Sequence, residues 1–220
     1  MNPRTMRTVA IAALLPLVAS CNLSRRDKGV VIGAAAGGAA GGVIGNQTGS
    51  TTRGAIIGAV VGGIAGGVIG HQMDQQAKEL SYELPGAVVT RVGEGIAVTF
   101  PEGLLFAFDS DDVSLAAREN LKKFAASLSK YPRTNTMIVG HTDSKGTDAY
   151  NLGLSERRAR AAANFIAAQG IESTRLGTVG RGSNEPIASN ETDAGRQQNR
   201  RIEIAIYADE AFRRQAQALN

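Results

Sequence analysis

The sequence has little of what marks nucleic-acid-binding and metal-binding proteins. It contains no tryptophan and only 5% aromatic residues, and its formal net charge is a mild +4. The basic residues are scattered, and no basic run is interleaved with aromatic side chains, which argues against nucleic acid as a partner. The carboxylates Asp109, Asp111 and Asp112 lack the spacing of a calcium-binding loop. We therefore predict no metal and no cofactor.

Cysteine occurs once, at Cys21, directly after a segment typical of export. Arg4 and Arg7 form a basic region, residues 9–18 are apolar, and residues 18–20 are small enough for a cleavage site. The run 17–21, LVASC, resembles a bacterial lipobox, which implies that Cys21 becomes the acylated first residue of the mature protein. The alternative is an ordinary signal peptide followed by a free thiol.

Acylation of Cys21 would decide where the protein resides. Each buried methylene of an acyl chain contributes about 0.8 kcal/mol, so the several chains of a bacterial lipoprotein form a durable anchor. Asn22 follows the cysteine, whereas an aspartate there favours inner-membrane retention in enterobacterial lipoproteins. We predict a lipid-anchored protein of the cell outer membrane, with its domain facing the periplasm and outer-membrane lipid as a partner.

Glycine is abundant, with 27 residues, and its distribution is uneven. It recurs every fourth residue in two arms, at Gly33, Gly37, Gly41 and Gly45, and then at Gly54, Gly58, Gly62, Gly66 and Gly70. A glycine costs about 1 kcal/mol relative to alanine in a free helix, but small residues at this spacing let paired helices approach closely. The arms resemble the glycine-zipper segments of some lipoproteins. We predict a helical hairpin in or against the membrane that would allow homo-oligomers; a flexible tether is the alternative.

The most informative segment is residues 140–159, GHTDSKGTDAYNLGLSERRA. Residues 136–140 are apolar and rich in β-branched side chains, which predicts a buried strand. A polar loop follows, and Asp148 is placed to cap a helix over residues 149–169 that Gly170 ends. The turn brings together an acid, Asp143, an amide, Asn151, and a guanidinium, Arg158.

The same segment closely resembles the signature of the OmpA-like (OmpA/MotB-type) peptidoglycan-binding domain. Residues 195–204, GRQQNRRIEI, resemble the closing motif of that family. The resemblance implies that Asp143 holds the amine and Arg158 the carboxylate of diaminopimelate, the cross-linking residue of many peptidoglycan stems. Asn151 and the Thr142 backbone would assist. The chemistry agrees, since an acid and a guanidinium can together recognise a zwitterion.

Two further groups are candidate contacts by the same resemblance. Asp109, Ser110 and Asp111 precede a helix and would line the ligand groove, although helix entry and capping explain them equally well. Arg200, in the closing motif with Asn199 and Arg201, would face the groove or hold the last strand.

Two alternatives to the ligand site come from the residues themselves. Asp143 and Arg158 could simply form a surface ion pair, which contributes only about 0–1 kcal/mol. His141 and Ser155, with Asp143, superficially offer a hydrolase triad. Nothing around Ser155 resembles a nucleophile elbow, and a hydroxyl within a helix more often bonds a backbone carbonyl. We therefore predict no enzyme and no catalytic residue.

The rest of the pattern predicts an α+β fold, an OmpA-like βαβαβ-type sheet covered on one side by helices. Residues 95–100 and 104–108 are expected to form a hairpin around Pro101, Ser114 to cap the next helix, and residues 175–180 and 201–207 to complete the sheet. The predicted organisation is a signal peptide (1–20), a lipidated N-terminus and linker (21–28), a glycine-zipper hairpin (29–70), a linker helix (71–86), the OmpA-like domain (87–208) and a C-terminal tail (209–220).

These features predict a non-catalytic lipoprotein that binds the diaminopimelate of peptidoglycan and tethers the outer membrane to the cell wall. The alternative is a structural or assembly subunit of an envelope machine, such as a secretion or motor complex, that uses the same wall-binding domain. The glycine arms would then be its oligomerisation element.

Overall fold

The structure, a computed structural model, describes residues 49–60, 66–107 and 110–218. Its strands are β1 (Val88–Val92), β2 (Gly95–Pro101), β3 (Thr134–His141), β4 (Leu176–Gly180) and β5 (Arg201–Ala208). Its helices are α1 (Thr51–Val60), α2 (Gly66–Glu83), α3 (Glu102–Leu105), α4 (Leu115–Lys130), α5 (Asp148–Ala168), α6 (Asp193–Asn199) and α7 (Glu210–Ala218), with a 3-10 turn at Ser173–Arg175. The predicted α+β class is confirmed.

The five strands form one sheet in the order β1-β2-β5-β3-β4. The β3–β4 pair is parallel and the other three pairs are antiparallel. Two parallel strands need a long crossover connection, and helix α5 provides it between β3 and β4. The C-terminal ends of β2 and β3 and the N-terminal end of β5 therefore meet at one edge of the sheet.

The main core lies between the sheet and helices α2, α4 and α5. Phe100 of β2 and Phe124 of α4 meet edge to face there, with ring centroids 6.4 Å apart. Helix α4 begins as predicted, since the Ser114 side chain accepts from the Ala117 N–H. The predicted cap of α5 is wrong by one residue: Thr147 accepts from the Tyr150 N–H, and Asp148 lies in the first turn, where its charge complements the helix dipole.

The predicted hairpin between residues 95–100 and 104–108 is wrong. Strand β2 pairs instead with β1, through a turn in which Gly93 has φ 52°, and residues 102–105 form the short helix α3. The apolar run after Pro101 places Leu105 and Phe106 in the main core. Such a run suits a buried helical turn as well as a strand, and its pattern alone does not separate them.

The segment predicted as a linker helix (71–86) belongs to a longer helix with an apolar stripe. Helix α2 begins at Gly66, and its Ile69, Met73 and Leu80 lie in the main core. The second glycine-rich arm of the predicted hairpin thus contributes α1 and the start of α2, while Cys21 and the first arm lie outside the described residues. Helix α1 packs on the sheet face opposite the other helices, so both faces are covered. Among the described helices, none has the length and apolar character needed to cross a membrane.

Candidate functional site

A cleft of about 680 Å³ opens at the sheet edge where β2, β3 and β5 meet. Motif residues from the loop after β3, from α5 and from the end of α6 line it. The lining comprises Glu102, Thr142, Asp143, Lys145, Gly146, Tyr150, Asn151, Leu154, Arg158, Asp193, Ala194, Arg196, Gln197 and Arg200. Of the predicted contacts, the structure gathers Thr142, Asp143, Asn151, Arg158 and Arg200 in this one cleft.

Two glycines let α5 lie unusually close to the sheet beside the cleft. A Cβ on Gly140 of β3 would lie 2.1 Å from the Ser155 carbonyl oxygen, and one on Gly180 of β4 would lie 2.6 Å from the Ser155 hydroxyl. Both distances are far below van der Waals contact, so only glycine fits at either position. This approach fixes the position of Arg158, one turn further along α5, relative to the end of β3.

Arg158 is the most deeply buried cation of the cleft, with only 2% of its side chain exposed. Its Nε donates to the Ser110 carbonyl at 2.8 Å, its Nη2 is ion-paired with Glu102, and its guanidinium lies 5.5 Å from the centre of the Phe106 ring. These contacts hold the guanidinium in one orientation.

The alternative in which Asp143 and Arg158 simply pair with each other does not occur: Asp143 pairs with Arg200, and Arg158 pairs with Glu102. Arg200 lies between two acids: its Nη1 donates to Asp143 at 2.7 Å and its Nε donates to Glu102 at 2.6 Å. Since Glu102 also pairs with Arg158, the charges alternate in a four-residue chain, Asp143–Arg200–Glu102–Arg158. Burial alone would lower the pKa of Arg200, but its hydrogen bonds to Asp143 and Glu102 outweigh burial and raise that pKa.

The loop after β3 orients the acidic end of this charge chain. One Asp143 oxygen accepts from the Lys145 N–H at 2.9 Å and the other from Arg200. Gly146 has φ 94°, a left-handed conformation that turns the loop back, and Asn151 donates to the Lys145 carbonyl at 2.9 Å. The Thr142 N–H donates to the Gly182 carbonyl and supports the loop. Two bonds leave a carboxylate further acceptor capacity for an ammonium group.

Ser110 and Asp111, two of the three predicted contacts before α4, do not line the cleft. Asp109 lies outside the described residues. Ser110 contributes its carbonyl to Arg158, and Asp111 pairs with the exposed Arg157 at 3.0 Å. Neither lines the cleft, although Ser110 supports a residue that does.

The three neighbouring residues Asn199, Arg200 and Arg201 of the closing motif divide into one that lines the cleft and two that hold the chain. The Asn199 side chain accepts from the Ile187 and Ala188 N–H groups and donates to the Ala188 carbonyl. Arg201 donates to the backbone carbonyls of Asn199 and Glu185. Of these three, Arg200 lines the cleft, with 23% of its side chain exposed.

The superficial triad does not assemble. The Ser155 hydroxyl donates to the Leu152 carbonyl at 2.8 Å and accepts from the Gly182 N–H at 2.9 Å. His141 is buried, and both of its ring nitrogens are without a hydrogen-bond partner within the described part of the chain. Burial, reinforced by nearby Arg201, lowers the pKa of His141 to about 3. The imidazole is therefore neutral in the folded protein at ordinary pH.

His141 makes the protein sensitive to acid. The His141 imidazole takes up a proton near pH 6.5 in the unfolded chain but only near pH 3 in the folded chain. The contribution of the neutral imidazole to the free energy of unfolding is therefore fully present above pH 6.5 and is lost as the pH falls towards 3. We expect the free energy of unfolding to fall by about 2 kcal/mol from this group between pH 7.5 and pH 5. Urea unfolding of wild-type protein and His141→Phe across that range measures it.

The phenylalanine variant should show a flatter pH profile, and His71→Gln, which alters an exposed histidine of α2, should keep the wild-type slope. Equal slopes for wild type and His141→Phe would show that the buried imidazole does not titrate in this way. The charged groups near His141 are Arg181, Arg201 and Glu203, and all three are unchanged in the comparison.

Sequence reasoning missed Glu102, the acid that joins the two arginines. It lies directly after β2, in a segment predicted to be a turn. Pro101 pairs with Arg201 across the β2–β5 ladder, which places Glu102 beside Arg200, and the Glu102 N–H donates to the Arg200 carbonyl at 2.9 Å. The contact between Glu102 and Arg200 follows from the register of β2 and β5, which the sequence alone does not give. No cluster of three or more potential metal ligands occurs among the residues that the structure describes.

Comparison with known proteins shows the family to which the chain belongs. The OmpA family model matches residues 105–200, and the YMGG-like Gly-zipper model matches residues 1–74. A peptidoglycan-associated lipoprotein of Brucella melitensis is 34% identical over 116 residues, which are 53% of this chain and 69% of that protein. The chain belongs to the OmpA family.

Two other similarities help to place this OmpA-family member. Probable lipoprotein YiaD of Escherichia coli (strain K12) is 37% identical over 136 residues, which are 61% of this chain and 62% of that protein. The cell wall anchor of the T6SS from Pseudomonas aeruginosa superposes with a TM-score of 0.55 at 30% identity, covering 61% of this chain and 97% of that one. The chain spans less than two thirds of the first of these relatives. The OmpA-like fold and the glycine-zipper class of the N-terminal part are both confirmed.

Proposed function

We propose that this OmpA-family member is a non-catalytic outer-membrane lipoprotein that binds the diaminopimelate of peptidoglycan and tethers the outer membrane to the cell wall. The observation that carries the proposal is the chain of alternating charges in the cleft, Asp143–Arg200–Glu102–Arg158. The names of its relatives, a peptidoglycan-associated lipoprotein and a cell wall anchor, support the same role.

The proposed ligand matches the two ends of this charge chain. The side-chain end of diaminopimelate carries an ammonium and a carboxylate on one carbon. Asp143 has unused acceptor capacity for the ammonium, and Arg158 and Arg200 offer guanidinium N–H groups to the carboxylate. Asn151 and Thr142 hold the loop that presents Asp143. Glu102 neutralises and orients both arginines, so the ligand meets preorganised donors.

Tethering needs a second attachment, which we assign to Cys21. Acylated there, the chain would be fixed to outer-membrane lipid at one end and to the wall at the other, with the domain in the periplasm. The absence of turnover is part of the proposal: the Ser155 hydroxyl is occupied by backbone partners and His141 is buried, so these two residues do not form an activated nucleophile.

Asp143→Asn tests the proposal on purified diaminopimelate-type sacculi. The amide keeps the size of the side chain but loses the charge that attracts the ammonium. Loss of a charge-assisted hydrogen bond costs about 1.5–3 kcal/mol, so we expect cosedimentation of the full chain with sacculi to weaken roughly 10- to 100-fold.

The matched control is Asp74→Asn, which removes an exposed carboxylate of α2 that pairs with Arg91. It should bind sacculi like the wild type. Unchanged binding of Asp143→Asn would remove Asp143 from the site, and release of wall fragments by the wild-type protein would contradict a non-catalytic role.

The similarity to the cell wall anchor of the T6SS favours a second candidate, a structural subunit of an envelope machine with the same wall-binding domain. The two candidates differ in assembly, since a tether acts alone and a machine subunit forms stable high-order oligomers. The size of the detergent-extracted protein distinguishes them. In the machine subunit, the glycine arms would supply the contacts between copies.

A further inference from the structure

Helix α1, from the second glycine-rich arm, occupies a shaped site on the sheet. Its Ala55, Ile56 and Ala59 are buried in a separate apolar cluster with Met137 and Val139 of β3 and Ala205 and Tyr207 of β5. These sheet residues lie on the face opposite the main core. Helix α1 is therefore the element that covers this face.

The domain holds both ends of α1 with complementary charges. At the N-terminal end, the Glu185 carboxylate accepts from the Thr51 N–H at 3.0 Å and from its hydroxyl at 2.5 Å, and Arg181 donates to the same hydroxyl. At the C-terminal end, Arg213 donates to the Ala59 carbonyl. An acid at the start and a guanidinium at the end of a helix match the two poles of its dipole.

The sheet is also shaped to receive one side chain of this helix. A Cβ on Gly95 of β2 would lie 2.5 Å from the Ile56 Cγ2, so the absence of a side chain at Gly95 makes the space that Ile56 fills. Shape, apolar character and end charges thus all fit this segment. Together they identify the second face as a receptor for α1.

Two features make α1 releasable rather than a fixed part of the core. It has only 10 residues and includes Gly54 and Gly58, so it would not be helical without its dock. Its buried apolar side chains also belong to the second apolar cluster and not to the main core. Short elements with few buried side chains are the first to open locally.

Docking and zipper packing compete for one stripe of α1. Gly54 is buried and Gly58 is half-buried against the domain. Glycines at this spacing promote helix pairing only when the stripe is open to the second helix. We propose that the second face of the sheet is a docking site for α1 of the same chain, and that α1 must leave it before the second glycine arm can pack with another helix. This inference does not depend on the ligand of the cleft.

Two consecutive isoleucines of α1, one buried and one exposed, provide a matched test in the full-length chain. Ile56→Asp places a charge between α1 and the sheet. Ile57→Asp places the same charge at a residue that is 43% exposed. The first readout is tryptic cleavage after Arg53, followed by mass spectrometry. We expect Ile56→Asp to be cleaved at least about tenfold faster than wild type, and Ile57→Asp at the wild-type rate, because a docked helix resists proteolysis.

The second readout is the size of the detergent-extracted protein, and Ala205→Glu, which blocks the dock without altering the arm, is measured beside Ile56→Asp. Both variants should form larger assemblies than the wild type. Unchanged cleavage would show that docking does not hold α1, and faster cleavage without larger assemblies would show that it does not restrain the zipper. Loss of cooperative unfolding in both variants would show that the domain cannot fold without docked α1, so that α1 is a permanent part of the core. Each of these three results overturns the inference.

Discussion

Arg158→Ala is expected to abolish detectable binding to sacculi and to destabilise the domain at the same time. The substitution removes the guanidinium proposed for the ligand carboxylate and leaves Glu102 buried with one partner fewer. Breaking a buried ion pair from one side costs about 3–5 kcal/mol, several times the value of a surface pair. Binding should fall by about 100-fold or more, since a carboxylate of the ligand also loses its partner.

The two effects can be separated within one experiment. Urea unfolding gives the loss of stability, and cosedimentation below the unfolding transition gives the loss of binding. Arg160→Ala is the matched control, because Arg160 lies on the same helix α5 but is exposed and pairs with Glu156 at 3.6 Å. It should change stability by less than about 1 kcal/mol. A fully stable Arg158→Ala variant that still binds sacculi would contradict both assigned roles of Arg158.

Gly140→Ala is expected to cause a large loss of stability although it adds only one methyl group beside the cleft. The new Cβ would lie 2.1 Å from the Ser155 carbonyl oxygen, a backbone atom of α5 that cannot move aside alone. Helix α5 must therefore shift away from β3. Overpacking of this kind typically costs 1–3 kcal/mol, and here the contact is with backbone, so we expect about 3 kcal/mol or more.

The same shift should weaken wall binding, because α5 carries Arg158 and Asn151 while β3 leads to Asp143. Gly153→Ala is the matched control on α5, since its Cβ would meet only the flexible Arg157 side chain, at 3.4 Å. Alanine in place of this helical glycine should raise stability by about 0.5–1 kcal/mol. Opposite signs for the two Gly→Ala variants in thermal unfolding are the expected result, and equal effects would show that the approach of α5 to β3 is not tight.

The sequence sufficed for the parts of the site that lie within one strand–loop–helix unit. The strand before Asp143, the turn at Gly146 and the helix that carries Asn151 and Arg158 follow from local apolar pattern and turn chemistry, and the structure has all of them. Contacts that depend on the register between distant strands were not accessible. Glu102 reaches the cleft only because β2 lies beside β5. Glu102 and its partner Arg200 are 98 positions apart in the chain.

Two further differences have the same physical origin. The run after Pro101 is apolar enough for a strand, and only the tertiary core selects the helical turn α3 there. The glycine period of the second arm predicts helix pairing, and in the structure part of that arm pairs with a sheet face shaped by Gly95. A periodic pattern indicates that a segment is helical and closely packed, but it does not name the packing partner.

The central claim is that the cleft recognises a zwitterion, and competition on sacculi tests it most directly. Full-length protein bound to diaminopimelate-type sacculi is challenged with soluble peptidoglycan stem peptides that carry either diaminopimelate or lysine in peptide linkage. The peptide-linked lysine side chain ends in an amine without the second carboxylate. Both compounds can place an ammonium near Asp143, but only diaminopimelate also presents a carboxylate on the same carbon to Arg158 and Arg200. We predict displacement by the diaminopimelate peptide at concentrations at least about tenfold lower than by the lysine peptide, as the loss of one charge-assisted contact requires. Equal displacement by the two compounds would contradict a site built to hold both charges of the ligand.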